Sequence, residues 1–299
     1  MSHFHGTLRH DESLALHTSW RIGGPASSYY EPRDIDDLAA FLGQLPDEEP
    51  VFWLGLGSNL LVRDGGVKGT VISTFRALSG LERVGESSVR AEAGVACPQV
   101  ARFCSQLGLC GVEFLAGIPG TMGGALAMNA GAFDGETWAY VERVETVNRQ
   151  GELHVRQAAD YQVGYRSVKG PEGEWFVAAV LSLAPGDSAA VSGRIRELLD
   201  KRKATQPLNQ PSCGSVFRNP PGDFAARLIE AAGLKGLRVG GACVSEKHAN
   251  FIVNLGEASA ADVEELIRRV MDEVETQHGV TLVPEVRVVG EALNGATDG

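Results

Sequence analysis

The sequence contains no run of about eighteen apolar residues, so it offers no candidate for a membrane-spanning helix. It also lacks a basic block. Its 27 lysines and arginines face 38 acidic residues, a net charge of −11 with histidine neutral. Binding a phosphate backbone needs clustered positive charge, so nucleic acid is not expected as a partner. An anionic small molecule needs only a few local cations and stays open. The five cysteines, Cys97, Cys104, Cys110, Cys213 and Cys243, form no C-x-x-C pair. Their odd number and loose spacing point to free thiols in a reducing compartment. The polar, His-rich stretch Met1 to Asp11 is unlike a secretory signal, and a cytoplasmic protein is expected. The seven histidines are scattered, with His3 and His5 near the N-terminus, and no metal site is expected. Four motifs are missing as well. Without G-x-G-x-x-G there is no Rossmann fingerprint, and without G-x-x-x-x-G-K-[ST] no P-loop. The nucleophile elbow G-x-S-x-G and the zinc-binding H-E-x-x-H are also absent.

What is present is an ordinary globular balance, 43% apolar and 22% charged over 299 residues, enough for two or three domains. Its 37 glycines gather in a few runs, as backbone does where it turns sharply or approaches a ligand closely. The first sixteen residues show little periodicity and read as a draping arm. Helical spacing over Asp34–Leu45 precedes an apolar strand, Val51–Leu54, and two more at Leu60–Val62 and Thr70–Thr74. Val89–Gly94 reads as a strand, and Pro98 opens a helix that stops at Gly108. Val141–Val147 and Glu152–Gln157 alternate around Gly151 as a hairpin does, and Trp175–Leu183 is another strand. Helices follow at Ser188–Ala204 and Asp223–Ala232, and a strand at Ala249–Asn254. Ser259 and Asp262 form a capping-box pattern before the apolar stripe Val263, Leu266, Ile267, Val270 and Val274. A last strand is expected over Thr281–Val289. The order gives an α+β protein with parts at 1–76, 77–204 and 205–290, and a tail at 291–299.

Two glycine loops stand out. Gly55-Leu56-Gly57-Ser58-Asn59 directly follows a strand, and Gly117-Ile118-Pro119-Gly120-Thr121-Met122-Gly123-Gly124 runs on toward Asn129-Ala130-Gly131-Ala132. Successive N–H groups in such loops can form a nest for phosphate oxygens. Tight turns between strands are the alternative. Two such loops on successive parts of the chain point to a phosphate-bearing cofactor held between them.

Taken in order, the motifs resemble those of the UDP-N-acetylenolpyruvoylglucosamine reductase family. They are His17-Thr18-Ser19-Trp20-Arg21-Ile22-Gly23-Gly24-Pro25, Leu56-Gly57-Ser58-Asn59-Leu60-Leu61-Val62, the loop Gly117–Gly124, and Met128-Asn129-Ala130-Gly131-Ala132. The resemblance runs to about Gly290, with Trp20 standing where a smaller aromatic residue is common. It implies a two-subdomain FAD-binding module of the vanillyl-alcohol-oxidase (PCMH) type, with a C-terminal α+β substrate-binding domain. Non-covalent FAD would then be held by Gly55, Gly57, Ser58, Asn59, Leu60, Gly117, Ile118, Pro119, Gly120, Thr121, Gly123, Gly124, Asn129, Gly131 and Ala132, joined by Arg202 and Arg287.

The implied reaction reduces an enolpyruvyl ether on UDP-N-acetylglucosamine to a lactyl ether, with NADPH as hydride donor. Hydride addition to the terminal carbon pushes charge onto the substrate carboxylate, which needs positive or proton-bearing groups aimed at it beforehand. Tyr165-Arg166-Ser167 resembles the family's Y-R-x-S stretch, with Val168 where the motif's serine would fall. Arg166 would supply a permanent, forked charge. Ser212-Cys213-Gly214-Ser215-Val216-Phe217-Arg218-Asn219-Pro220 resembles G-S-x-F-[KR]-N-P, making Ser215 the proton donor. On acidity alone, Cys213 is a rival. Leu282-Val283-Pro284-Glu285-Val286-Arg287 resembles the terminal P-E-V-[RK] strand, and Glu285 would stabilise the intermediate by carrying a proton.

Asn209, Arg218, Lys235, Lys247, His248 and Asn250 are candidates for the nucleotide end of the substrate. No tyrosine-bearing insertion separates Arg166 from Ser215, so the chain resembles the family's shorter type. Taken singly, Arg166 reads equally as a surface ion pair, Ser215 as a turn residue and Glu285 as a solvated strand residue. Two rival functions remain: an oxidase on the same FAD module, and a UDP-sugar-binding module without chemistry.

Overall fold

The computed structural model describes residues 4–293; His3 and residues 294–299 of the expected tail lie outside the described residues. The chain divides into two compact units. One holds the residues up to Arg9, Tyr29–Leu56 and Thr70–Arg202; the other holds His10–Ser28, Gly57–Gly69 and the chain from Lys203 onward. Among the described residues no helix is long and apolar enough to cross a membrane.

In the first unit, Asp34 caps the helix Ile35–Leu42 by accepting from the Asp37 N–H at 2.8 Å. Leu38 and Leu42 on that helix pack with Ile72, Leu78, Val147 and Val177. Val51–Leu54 pairs in parallel with Thr70–Ser73. A five-stranded antiparallel sheet has the order Leu153–Gln157, Val141–Asn148, Glu174–Ser182, Ser88–Glu92, Leu81–Arg83. The expected hairpin around Gly151 is its outer pair. The helix Cys97–Gln106 carries Pro98 in its first turn and buries Val100 and Cys104 against Leu115, Met122, Val144 and Leu181.

The second unit is organised by the helix Ala260–His278. Its capping box is complete: Ser259 Oγ accepts from the Asp262 N–H at 3.1 Å, and the Asp262 carboxylate accepts from the Ser259 N–H at 3.0 Å. Val263, Leu266, Val270 and Val274 are fully buried, as the stripe predicts. They face Val216, Phe217, Ile229, Val244 and Trp20. The larger Trp20 is accommodated: its indole N–H donates to the Ile252 carbonyl at 2.8 Å, and Asn254 donates to its own carbonyl at 3.0 Å. The strands Arg238–Val239, Ala242–Val244 and Ile252–Asn254 form a small antiparallel sheet.

Three expectations fail, each for a physical reason. The opening residues are not a draping arm: Thr7–Ser13 is a strand beside Pro25–Glu31. Its side chains are mostly exposed, so the backbone ladder leaves no apolar alternation to read. The last strand is confined to Arg287–Val289, paired in parallel with Leu60–Val62. Pro284 has no N–H to give a ladder, and residues 283–286 instead bond the segment 216–218. Gly117–Gly124 is not a loop throughout, because the Thr121 side chain caps a helix, Met122–Ala127, that starts within it; farther on, a two-residue turn joins Gly131–Ala132 to Gly135–Glu136.

Candidate active site

In the first unit the glycine run meets the end of the strand Val51–Leu54. A Cβ placed on Gly55 would lie 2.5 Å from Thr121 Oγ1, so only glycine allows this approach. A Cβ on Gly117 would lie 2.7 Å from the ring of Phe133. The strand end and the glycine run thus pack directly against side chains, Gly55 against Thr121 and Gly117 against Phe133. The nest reading needs revision, however. The N–H groups of Met122 and Gly123 donate to the carbonyls of Val95 and Ala93 at 2.9 and 2.8 Å. That of Gly124 donates to Thr121 Oγ1 at 3.5 Å. Thr121 is thus the cap of the short helix, and these three donors already serve the fold.

Asn129 also differs from expectation. It is buried, with φ +45°, and its amide is committed at both ends. Nδ2 donates to Glu136 at 2.9 Å and to the Gly164 carbonyl at 3.3 Å, while Oδ1 accepts from the Trp138 N–H at 3.1 Å. Its side chain therefore ties loops together, while Gly131 and Ala132 pair with Glu136 and Gly135. Arg166 is the second residue of the two-residue turn between Gln162–Gly164 and Ser167–Lys169, at φ +53°. Holding a non-glycine residue there costs backbone strain that its surroundings must offset. Its guanidinium donates to the Gly131 and Asn129 carbonyls at 2.9 and 3.4 Å. Arg166 and the 129–131 loop are thus brought together. Burial lowers the pKa of Arg202, in the last turns of the helix Ser188–Thr205.

In the second unit, Ser215 and Glu285 lie on adjacent segments. The Glu285 N–H donates to the Val216 carbonyl at 2.7 Å, and that of Arg218 donates to the Val283 carbonyl at 2.9 Å. Phe217 bridges to Pro284. Asn59 donates its amide to the Glu285 carbonyl at 3.2 Å, and its own carbonyl accepts from the Arg287 N–H at 3.1 Å. Asn59, Glu285 and Arg287 thus form one cluster. Cys213, 5% exposed, has its thiol pKa pushed up by burial and then by the Glu285 charge. That makes it a poor acid. Gly57 turns back on the carbonyl of His17, while Ser58 and Leu60 flank Asn59 along the same loop.

The six nucleotide-end candidates separate. Arg218 Nε and His248 Nδ1 are buried without a hydrogen-bond partner, as groups waiting for a polar ligand are. The His248 pKa is lowered, first by burial and then by the Lys235 charge. Lys235 pairs with Glu230 at 2.6 Å, and Lys247 Nζ donates to the Lys203 carbonyl at 2.6 Å. Asn209 is exposed on its loop. Asn250 departs from the expectation: it is buried, and both ends of its amide bond the Phe217 backbone, at 2.9 and 2.8 Å. The sequence reading missed Phe133, Glu136 and this use of Asn250. Their partners lie outside any local motif, and no spacing signals them.

Two family models match the chain. One, described as an FAD binding domain, covers residues 26–156. The other, described as the C-terminal domain of UDP-N-acetylenolpyruvoylglucosamine reductase, covers 206–289. The chain is 64% identical over 287 residues to a UDP-N-acetylenolpyruvoylglucosamine reductase of Alkalilimnicola ehrlichii, covering 96% of each. It is 54% identical over 288 residues to one of Legionella pneumophila, covering 96% of this chain and 94% of that protein. The crystal structure of UDP-N-acetylenolpyruvylglucosamine reductase from Thermus caldophilus superimposes with a TM-score of 0.81 at 36% identity, covering 95% of this chain and 98% of that one.

Proposed function

The chain belongs to the UDP-N-acetylenolpyruvoylglucosamine reductase family, and from that premise we propose that it reduces UDP-N-acetylenolpyruvoylglucosamine to UDP-N-acetylmuramate, with NADPH as the electron source. It is an FAD-containing oxidoreductase of peptidoglycan precursor synthesis. Residues 1–76 and 77–204 are read as the two FAD-binding subdomains and 205–290 as the substrate domain. The five free thiols support a reducing, cytoplasmic setting.

The loop at Thr121 fits FAD, since a Cβ on Gly124 would meet nothing nearer than Thr121 Oγ1 at 3.8 Å and the backbone there is open to a flat ring or a diphosphate. When bound, FAD supplies a hydride carrier between NADPH and the terminal carbon of the enolpyruvyl group. The protein's residues do the rest. Arg166 holds the substrate carboxylate, where charge accumulates as the double bond is reduced. Glu285, which takes up a proton only once the substrate is bound, donates a hydrogen bond to the same developing charge. Ser215 gives its hydroxyl proton to the carbon bearing the ether oxygen and recovers a proton from water. The strongly basic carbon makes so weak an acid sufficient. Arg218 and His248 take the nucleotide end, using their partnerless buried nitrogens.

The observation that most supports this reading is the bonding of 216–218 to 283–286, which brings the backbone segments that carry Ser215 and Glu285 side by side. Anaerobic stopped-flow tests it. NADPH should bleach the flavin band, and UDP-N-acetylenolpyruvoylglucosamine should restore it without oxygen. Restoration by oxygen alone would favour an oxidase, and a protein without a flavin band would remove the cofactor argument.

A further inference from the structure

We infer that Asn250 is a positioning residue for Ser215, acting through the backbone of Val216 and Phe217; this rests on Ser215 being the proton donor. The segment 211–217 runs beside 250–254. Asn254 N–H donates to the Pro211 carbonyl at 2.9 Å, Ser212 bridges to Val253, and Val216 N–H donates to the Asn250 carbonyl at 2.9 Å. Between these contacts the chain leaves the ladder over Cys213, Gly214 and Ser215. The Asn250 carbonyl re-engages the ladder just after Ser215, at Val216, and the Asn250 side chain carries it on by one residue, to Phe217.

Its Oδ1 accepts from the Phe217 N–H at 2.9 Å, and its Nδ2 donates to the Phe217 carbonyl at 2.8 Å. One carboxamide thus replaces a missing strand neighbour for Phe217, which is 2% exposed and has no water to turn to. The task needs one donor and one acceptor in a plane. Leucine offers neither, and an ionised aspartate offers two acceptors, one of which opposes the Phe217 carbonyl. On the other side of the same segment, the Val216 carbonyl accepts from the N–H groups of Glu285 and Val286, at 2.7 and 3.3 Å. Asn250 therefore sets where Ser215 stands relative to Glu285. A displacement of about 1 Å in a reacting group costs on the order of a hundredfold in rate.

The test uses Asn250→Asp in the flavin-loaded protein, with Asn250→Ala as a control that cannot recover at any pH. At pH 8, bleaching by NADPH should stay near wild type, while recovery driven by the enolpyruvyl substrate should slow by about a hundredfold. As the pH falls toward 5, the aspartate takes up a proton and regains a donor and an acceptor. Recovery relative to wild type should then rise. In the flavin-loaded protein at pH 8, hydrogen exchange at the Phe217 and Glu285 amides should be faster in the Asp variant than in wild type. A purely structural asparagine would instead slow both half-reactions together, or lower flavin content, without recovery at low pH. Any of those results, or unchanged kinetics, overturns the inference. If wild type itself is not reoxidised by the enolpyruvyl substrate, the functional reading falls first and takes this inference with it.

Discussion

The N–H of Glu285 donates to the carbonyl of Val216, the residue after Ser215, at 2.7 Å. The hydroxyl and the carboxyl proposed to act on one substrate are thus held by a backbone bond that neither side chain has to make. Ser215→Ala should leave that bond intact. Flavin bleaching by NADPH should therefore be spared, while substrate-driven recovery should fall by about 10²- to 10⁴-fold, the usual worth of a positioned proton donor. Single-turnover measurement of the two half-reactions decides it, and equal losses in both would remove Ser215 from the proton-transfer role.

Cys213 is two residues from Ser215 and intrinsically the stronger acid, yet burial and the Glu285 charge push its thiol pKa up. Cys213→Ala should accordingly recover its flavin band at close to the wild-type rate. Thiol labelling of the native protein gives an independent reading. Cys97, Cys104, Cys213 and Cys243 are buried and Cys110 is only half-buried, so Cys110 should react first. Rapid modification of Cys213 at pH 8 would contradict its burial and reopen its candidacy.

Much of this was legible from the chain. Periodicity gave the long helix from Ser259 because its cap, stripe and stop all fall within one local window. The motif around Ser215 and the one around Glu285 were each readable as local strings. Their proximity was not, since no spacing encodes a bond between residues 216 and 285. The same holds for Asn250, whose carboxamide looked like a pocket group because its partner, Phe217, lies 33 positions away. The strand Thr7–Ser13 was hidden because a mostly exposed strand with polar side chains carries no alternation. The bonds of Asn129 are hidden in the sequence for a further reason: its positive φ and its three side-chain bonds are properties of a folded loop rather than of a dipeptide.

Asp37 is 5% exposed and accepts from the Tyr30 hydroxyl at 2.6 Å and the Arg33 N–H at 2.9 Å, with the His5 N–H as a third donor. Burial alone would raise its pKa, but the Tyr30, Arg33 and His5 hydrogen bonds outweigh it, and the net shift is downward from 3.8. Its contribution to stability is therefore present above about pH 4 and lost as the pH falls through the folded-state value. Asp37→Ala leaves the Tyr30 hydroxyl and two N–H groups without their acceptor and should cost about 2–4 kcal/mol, extrapolating from about 1–3 kcal/mol per orphaned buried group. Urea unfolding at pH 7 measures the loss. At pH 2 the difference between variant and wild type should narrow.

His248 has the opposite chemistry. Burial, aided by the Lys235 charge, lowers its pKa from 6.5, so the fold favours the neutral ring. The unfolded chain then binds the proton more readily, and stability rises with pH. The contribution is complete above about pH 6.5 and is lost as the pH falls through the lowered folded value. His248→Gln should flatten the dependence of the urea midpoint on pH between 7.5 and 5. An unchanged slope would mean that the acid sensitivity arises elsewhere.

The close approach of Gly55 to Thr121 makes a coupled prediction. A methyl group on Gly55 would lie 2.5 Å from Thr121 Oγ1, which forces either the strand end or the Thr121 turn to move. Gly55→Ala should therefore lower stability by about 1–3 kcal/mol, the range for an overpacked site, and reduce the flavin retained on purification. Thr121→Ala alone removes the acceptor for the Gly124 N–H and should cost about 1 kcal/mol, as lost helix caps do. In the double variant the colliding oxygen is gone, and the next obstacle, Thr121 Cβ, lies at 3.6 Å, an ordinary contact. The double variant should thus be more stable than the sum of the single losses predicts. A coupling energy of at least about 0.5 kcal/mol in that direction is expected for residues in direct contact. Strict additivity in thermal unfolding would show that the two loops do not meet in the folded protein, and would remove the loop contact beside which the flavin is assigned.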